Sequence, residues 1–129
     1  MSNKTGATGQ TRTKIFQRAF FECENCGTTD FSFGISIHHR KPRGMGGTKK
    51  KEINDPTNLL LLCGSGTTGC HGWIESNRQQ SYELGLLVKQ SDEPADIPVV
   101  DKYENVWKLN KDFTKERHAF PKPEYKTQP

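Results

Sequence analysis

Two histidines stand side by side in this chain of 129 residues, His38 and His39, closing the run "FSFGISIHH" and opening onto the basic, glycine-containing "RKPRGMGG". A third, His71, directly follows a cysteine in "CHGWIESN". Imidazole titrates near neutrality and binds divalent metals, so it serves equally as a proton acceptor or as a ligand. Neighbouring residues of a strand point to opposite faces. One of His38 and His39 can therefore look at a metal while the other looks elsewhere, or at an attacking water.

The cysteines fall in two close pairs, Cys23 with Cys26 and Cys63 with Cys70, on either side of the paired histidines. The N-terminal "MSNKTGATGQ" has no apolar signal-peptide core, so a cytoplasmic chain with reduced thiols is expected, and such spacing then reads as metal ligation rather than disulfide bonding. Four thiolates suit a closed, tetrahedral Zn2+ site that holds structure and does no chemistry. "GSGTTG" between Cys63 and Cys70 is longer than a tight knuckle, but its glycines let both sulfurs reach one ion. Free or redox-active cysteines are the alternative. With 31% hydrophobic residues the core is thin, and zinc binding, worth on the order of 10 kcal/mol in small zinc-finger peptides, would supply much of the folding free energy.

The elements that must position these groups follow from the pattern. "TRTKIFQRAFF" spaces Ile15, Phe16, Ala19 and Phe20 as one helical face, capped by Thr11 or Thr13, with Arg12, Lys14 and Arg18 on the polar side. "CENCG" is a knuckle, "FSFGISIHH" a strand, and the Pro- and Gly-containing run after it a loop. "NLLLLC" is a short apolar segment returning to the second cysteine pair. The residues after Cys70 read as a helix, a turn and a second amphipathic piece, and "YENVWKLNKDF" as a late strand or hairpin. Trp73 and Trp107 are expected to pack the small core, and His118 to lie exposed in a charged tail. Residues 1–10 are expected to be a disordered arm, and 91–129 a C-terminal extension and tail.

Charge is uneven. Residues 1–51 hold ten Lys/Arg against three Asp/Glu, and residues 52–129 hold nine against twelve. A basic half around the histidines suggests a polyanion partner, nucleic acid first among them, against the plainer reading of a solvated basic surface. No apolar run approaches the roughly 18 residues of a membrane span, so no membrane association is expected.

Taken in order, "CENC" (23–26), "HHRKPRGMGG" (38–47), "NLLLLC" (58–63) and "CHGWIESN" (70–77) resemble the HNH endonucleases, in particular small bacteriophage and prophage HNH proteins with a four-cysteine zinc site. The resemblance implies an α+β fold: a small ββα-metal core over residues 11–90, stapled by Cys23, Cys26, Cys63 and Cys70, with short flanking helices and the C-terminal extension. It implies that His38 and His71 hold a catalytic divalent ion, Mg2+, Mn2+ or Ni2+, that His39 is the general base, and that Asn58 is the middle residue of the motif. Because an amide cannot titrate, Asn58 would fix the loop or orient His39. Many relatives carry a further histidine one turn after His71. Here Glu75 stands in its place, on the same helix face: as an oxygen ligand it would favour Mg2+ or Mn2+, and the alternative is a solvated helix residue with waters filling the coordination shell.

Arg40, Lys41, Arg43, Lys49, Lys50 and Lys51 would neutralise the DNA backbone without reading sequence. The implied activity is metal-dependent phosphodiester hydrolysis by nicking or double-strand cleavage. Phage terminase or portal proteins would be partners through the resemblance alone. The alternative is a non-catalytic zinc-knuckle module that binds DNA or protein. RNA cleavage is a third reading, and no stacking surface in the sequence favours it.

Overall fold

In a computed structural model the protein is a mixed α+β fold, described here over residues 8–42 and 51–117. Helix α1 spans Gly9–Arg18, β1 Ile35–His39, β2 Leu59–Cys63, α2 Gly69–Ser76, α3 Arg78–Glu83, β3 Val99–Val100, β4 Val106–Leu109 and β5 Lys115–Arg117. Short 3-10 turns cover Lys51–Asn54, Pro56–Asn58 and Pro94–Asp96. Strands β1 and β2 form one antiparallel pair, and β3, β4 and β5 form a second antiparallel sheet in that order.

The first helix begins earlier than its apolar spacing predicts. Thr8, not Thr11 or Thr13, is the cap, its hydroxyl accepting from the Thr11 N–H at 3.2 Å. Gly9 and Gln10, expected in a disordered arm, therefore form its first turn. At its other end Phe20 and Phe21 both adopt left-handed backbone, φ 55° and 56°. The Phe21 N–H bonds the Phe16 carbonyl and the Phe20 N–H the Gln17 carbonyl, a Schellman closure built on phenylalanine where glycine is usual. That turn swings Phe20 off the apolar face, leaving it 78% exposed, whereas Ile15 and Ala19 are buried as expected. Arg18, expected on the polar side, is buried too. Its guanidinium forks onto Glu24 at 2.6 and 3.0 Å and reaches the Pro56 and Leu59 carbonyls.

Strand β2 explains why four leucines run without alternation. Leu60 and Leu62 pack into a core with Cys23, Ile74, Leu84, Leu86, Leu87, Val99, Val100 and Leu109, while Leu59 and Leu61 pack with Ile15 and Ala19. The strand is thus covered on both faces, by α2 and the C-terminal segment on one and by α1 on the other. Register pairs Ser36 with Leu62 and His38 with Leu60, which puts Ser36 and His38 on the α2 side of β1. The same core takes Val99, Val100 and Leu109 from beyond residue 90. Trp73 and Trp107 are partly buried against it, as expected. Asp101 holds the turn into β4, accepting from the Tyr103 and Asn105 N–H groups and from the Trp107 indole N–H. His118 and the rest of the tail lie outside the described residues.

Candidate metal centres

Two groups of ligand-type side chains converge among the described residues. In the first, one sulfur from each of Cys23, Cys26, Cys63 and Cys70 lies within 4.8 Å of every other. The knuckle "CENCG" turns so that the Asn25 and Cys26 N–H groups point at the Cys23 sulfur, at 3.4 and 3.5 Å, and Gly27 closes it at φ 78°. Across the site the Cys70 N–H approaches the Cys63 sulfur at 3.4 Å, and the Asn25 amide approaches the Cys70 sulfur at 3.3 Å. The loop between Cys63 and Cys70 is tightly folded rather than merely supple. A Cβ at Gly64 would lie 2.0 Å from the Thr68 carbonyl oxygen, and one at Gly69 would lie 2.8 Å from that of Cys63.

This donor set fits a structural zinc. The Cys26 and Cys63 sulfurs are 3.8 Å apart, far from the roughly 2.05 Å of a disulfide. That separation is the edge, about 3.8 Å, of a tetrahedron with zinc–sulfur bonds of about 2.3 Å. The thiols alone cannot all ionise together. A hydrogen bond from Cys70 holds Cys23 down to about 5, the same contact pushes Cys70 well up, and burial pushes Cys26 up to about 11. A cation at the centre removes that conflict.

The second group is His38, His71 and Glu75, again with one ligand atom of each within 4.8 Å of the others. His38 comes from the end of β1, and His71 and Glu75 sit one turn apart on α2, with 3.8 Å between the His71 Nε2 and a Glu75 oxygen. The other Glu75 oxygen accepts from the Arg78 guanidinium at 2.7 Å. The two imidazole rings lie 5.2 Å apart. The His38 Nε2 is 2.9 Å from the Leu86 carbonyl oxygen. A carbonyl only accepts, so Nε2 carries the proton and the Nδ1 lone pair is left for a cation. Burial lowers His38 to about 3 and also lowers His71, so both rings are neutral, as ligands must be, at neutral pH. These three groups fit a divalent ion bound through two nitrogens and a carboxylate oxygen.

His39 is not a member of that cluster. Its Nε2 lies 2.8 Å from the Asn54 side-chain oxygen, which places its basic lone pair on Nδ1. Asn54, not Asn58, is thus the amide that orients His39. Asn58 is buried and ties the loop: its oxygen accepts from the Lys41 N–H at 2.7 Å, and its amide donates to the Ile53 and Lys41 carbonyls.

The basic residues separate. Arg40 cannot touch DNA: it is 0% exposed, and its guanidinium donates to the carbonyls of Gly85, Thr57, Pro94 and Ile97. Burial lowers it to about 9. Lys41 is half-buried, and Lys51 opens a 3-10 turn. Arg43, Lys49 and Lys50 lie outside the described residues. Sequence reasoning missed Asn54, Ser36 and the Leu86 carbonyl as partners of the histidines. Only Ser36 carried a signal, a polar residue two positions before His38 and so on the same strand face.

Neither a family model, nor a curated protein, nor a solved structure matches the chain. No helix among the described residues is long and apolar enough to cross a membrane.

Proposed function

We propose that this chain is a metal-dependent DNA endonuclease of the HNH type, hydrolysing phosphodiester bonds with low intrinsic sequence preference. The observation that carries the reading is the convergence of His38, His71 and Glu75 at the seam between β1 and α2, beside a separate cage of four cysteines. The order of an antiparallel pair followed by a helix packed on its second strand supports it. So does His39, the next residue along from a ligand, with its proton held on the ring nitrogen facing Asn54.

A divalent ion bound there would stabilise negative charge on the scissile phosphate and the leaving 3′ oxygen. The chain's own residues have distinct tasks. His38 and His71, neutral and fixed by their outer hydrogen bonds, would hold the ion with Glu75. His39 accepts the proton of the attacking water at Nδ1, and Asn54 keeps that nitrogen unprotonated and aimed. Asn58 ties the segment after β1 to the turn before β2, which sets the position of the strand end that bears both histidines. Lys41, Arg43, Lys49, Lys50 and Lys51 supply charge for the DNA backbone, a role Arg40 is too buried to share.

The test compares wild type with His39→Ala on supercoiled plasmid, with Mg2+, Mn2+, Ni2+ or chelator, after zinc content has been matched. Metal-dependent nicking by wild type should fall by at least about 100-fold in the variant, the scale of a lost general base. Zinc-replete wild type that binds DNA in a salt-sensitive way but never cuts it would replace this reading with a zinc-knuckle binding module.

A further inference from the structure

The hydroxyl of Ser36 sits between the two metal centres. It donates to the Gly64 carbonyl at 2.7 Å, and Gly64 directly follows the cage ligand Cys63. On its other side it lies 3.0 Å from the His71 Nδ1. A serine hydroxyl has one hydrogen. Because a carbonyl oxygen can only accept, that hydrogen is committed to Gly64, and the hydroxyl oxygen has only lone pairs to offer His71. The His71 Nδ1 must then carry the ring proton, which leaves the lone pair on Nε2. Nε2 is the nitrogen 3.8 Å from the Glu75 carboxylate, on the side where the three ligands meet.

We infer that Ser36 is a positioning residue: through its hydrogen bond to the Gly64 carbonyl it fixes the tautomer and ring orientation of His71, and so presents the His71 Nε2 to a divalent cation shared with His38 and Glu75. The inference rests on the reading of that cluster as a cation site, and not on DNA being the substrate. The arrangement has a physical reason. Ser36 projects from β1 on the same face as His38 and opposite Leu62, so one strand supplies a ligand and, two residues earlier, the group that aims the other ligand. Its acceptor belongs to the loop folded around the cysteines, where the tight packing of Gly64 on Thr68 leaves the carbonyl little freedom. Closure of the cysteine cage therefore sets the direction in which the hydroxyl lone pairs point. Outer partners of metal-bound histidines characteristically change metal affinity by about 10- to 100-fold when removed.

The experiment uses the full-length, zinc-replete protein as wild type, Ser36→Ala and Ser36→Thr. Zinc content and thermal melting are measured first. The His71 tautomer is then read from long-range 1H–15N spectra before any second cation is added. Mn2+ affinity is measured by titration calorimetry, and plasmid nicking is assayed in parallel. Wild type and Ser36→Thr should show the Nδ1–H tautomer of His71. Ser36→Ala, with one zinc retained, should show a tautomer mixture and bind Mn2+ about 10- to 100-fold more weakly.

An Nε2–H tautomer in wild type overturns the inference, and this result does not depend on whether Ser36→Ala folds. So does a Ser36→Ala protein whose tautomer and Mn2+ affinity stay within twofold of wild type, and so does wild type that binds no Mn2+ at millimolar concentration. Loss of zinc from Ser36→Ala, with Ser36→Thr retaining zinc, the wild-type tautomer and Mn2+ binding, supports a role for the hydroxyl in both centres. If Mn2+ affinity follows the hydroxyl while no protein cuts DNA, the positioning role stands and the nuclease reading falls.

Discussion

His38 is a neutral imidazole in a place where a charged one would be costly. Burial lowers it to about 3, and the hydrogen bond to the Leu86 carbonyl, which works the other way, does not offset that. An unfolded chain would bind a proton there near pH 6.5. Between those two values the unfolded state carries more protons than the folded one, so stability present at neutral pH is lost as pH falls through 6.5 toward 3. Acid also threatens the cysteine cage, so the contribution of His38 has to be isolated by difference. In His38→Gln, whose amide can still donate to Leu86, the slope of unfolding free energy against pH between 4.5 and 6.5 should be shallower than in wild type by up to about 1.4 kcal/mol per pH unit. Urea denaturation of both proteins across that range, without added divalent cation, reads the slope directly. Equal slopes would mean that His38 takes up its proton in the folded protein as readily as in the unfolded chain, so that burial does not hold it neutral.

The elements divide according to whether their signals are local. Strand β1, the Leu-rich β2 and the helix after Cys70 were legible because periodicity and cysteine spacing act over a few residues. The two-sided burial of β2 is visible in hindsight in its unbroken run of leucines. The fate of Arg40 was not legible. In the sequence it opens a basic loop, but in the fold it is a pin between β1 and three distant segments, donating to carbonyls at Thr57, Gly85, Pro94 and Ile97. Those carbonyls face inward because of tertiary packing, and no local pattern announces them. Gly85 belongs to the same pin: at φ 73° its missing Cβ would lie 1.9 Å from the Pro98 oxygen, so the chain can pass close enough for its own carbonyl to meet Arg40. Replacing Arg40 with Met keeps the stem but strands the carbonyl partners in the interior, and should cost about 3–5 kcal/mol. Arg40→Lys should recover only part of this, since an ammonium cannot reproduce the planar fork. If chemical denaturation finds Arg40→Met within about 0.5 kcal/mol of wild type, the pin is not the element that closes the C-terminal segment onto β1.

At the scale of the whole molecule, the cysteine cage and the C-terminal sheet share one buried core, against which α2, the helix that carries His71 and Glu75, also packs. Cys23 lies in the same buried cluster as Leu60 of β2 and Ile74 of α2 and as Val99, Val100 and Leu109 of the C-terminal sheet. The Lys102 N–H bonds the Asn25 carbonyl inside the knuckle, and Lys115 on β5 reaches Glu24 between the two N-terminal cysteines at 3.2 Å. Glu24 is fully buried. Burial would raise its carboxyl, but Arg18 and Lys115 hold it below the usual carboxylate range, so it stays ionised and ties α1, the knuckle and β5 together. A thin apolar core with such cross-links should depend as a unit on a zinc held by the four cysteines. Removing zinc with a chelator at neutral pH should therefore unfold more than the knuckle. In hydrogen exchange, the amides of Val100 and Leu109 should lose protection together with that of Leu61, and all should regain it when zinc is restored. The Val100 N–H donates to the Leu84 carbonyl and the Leu61 N–H to the Glu24 carboxylate at 2.8 Å, so these amides report the C-terminal sheet and the strand beside the knuckle. If β3 to β5 keep their protection after zinc removal while Leu61 loses it, the core is divisible, and the C-terminal sheet is a separately stable module docked on β1, β2 and α2.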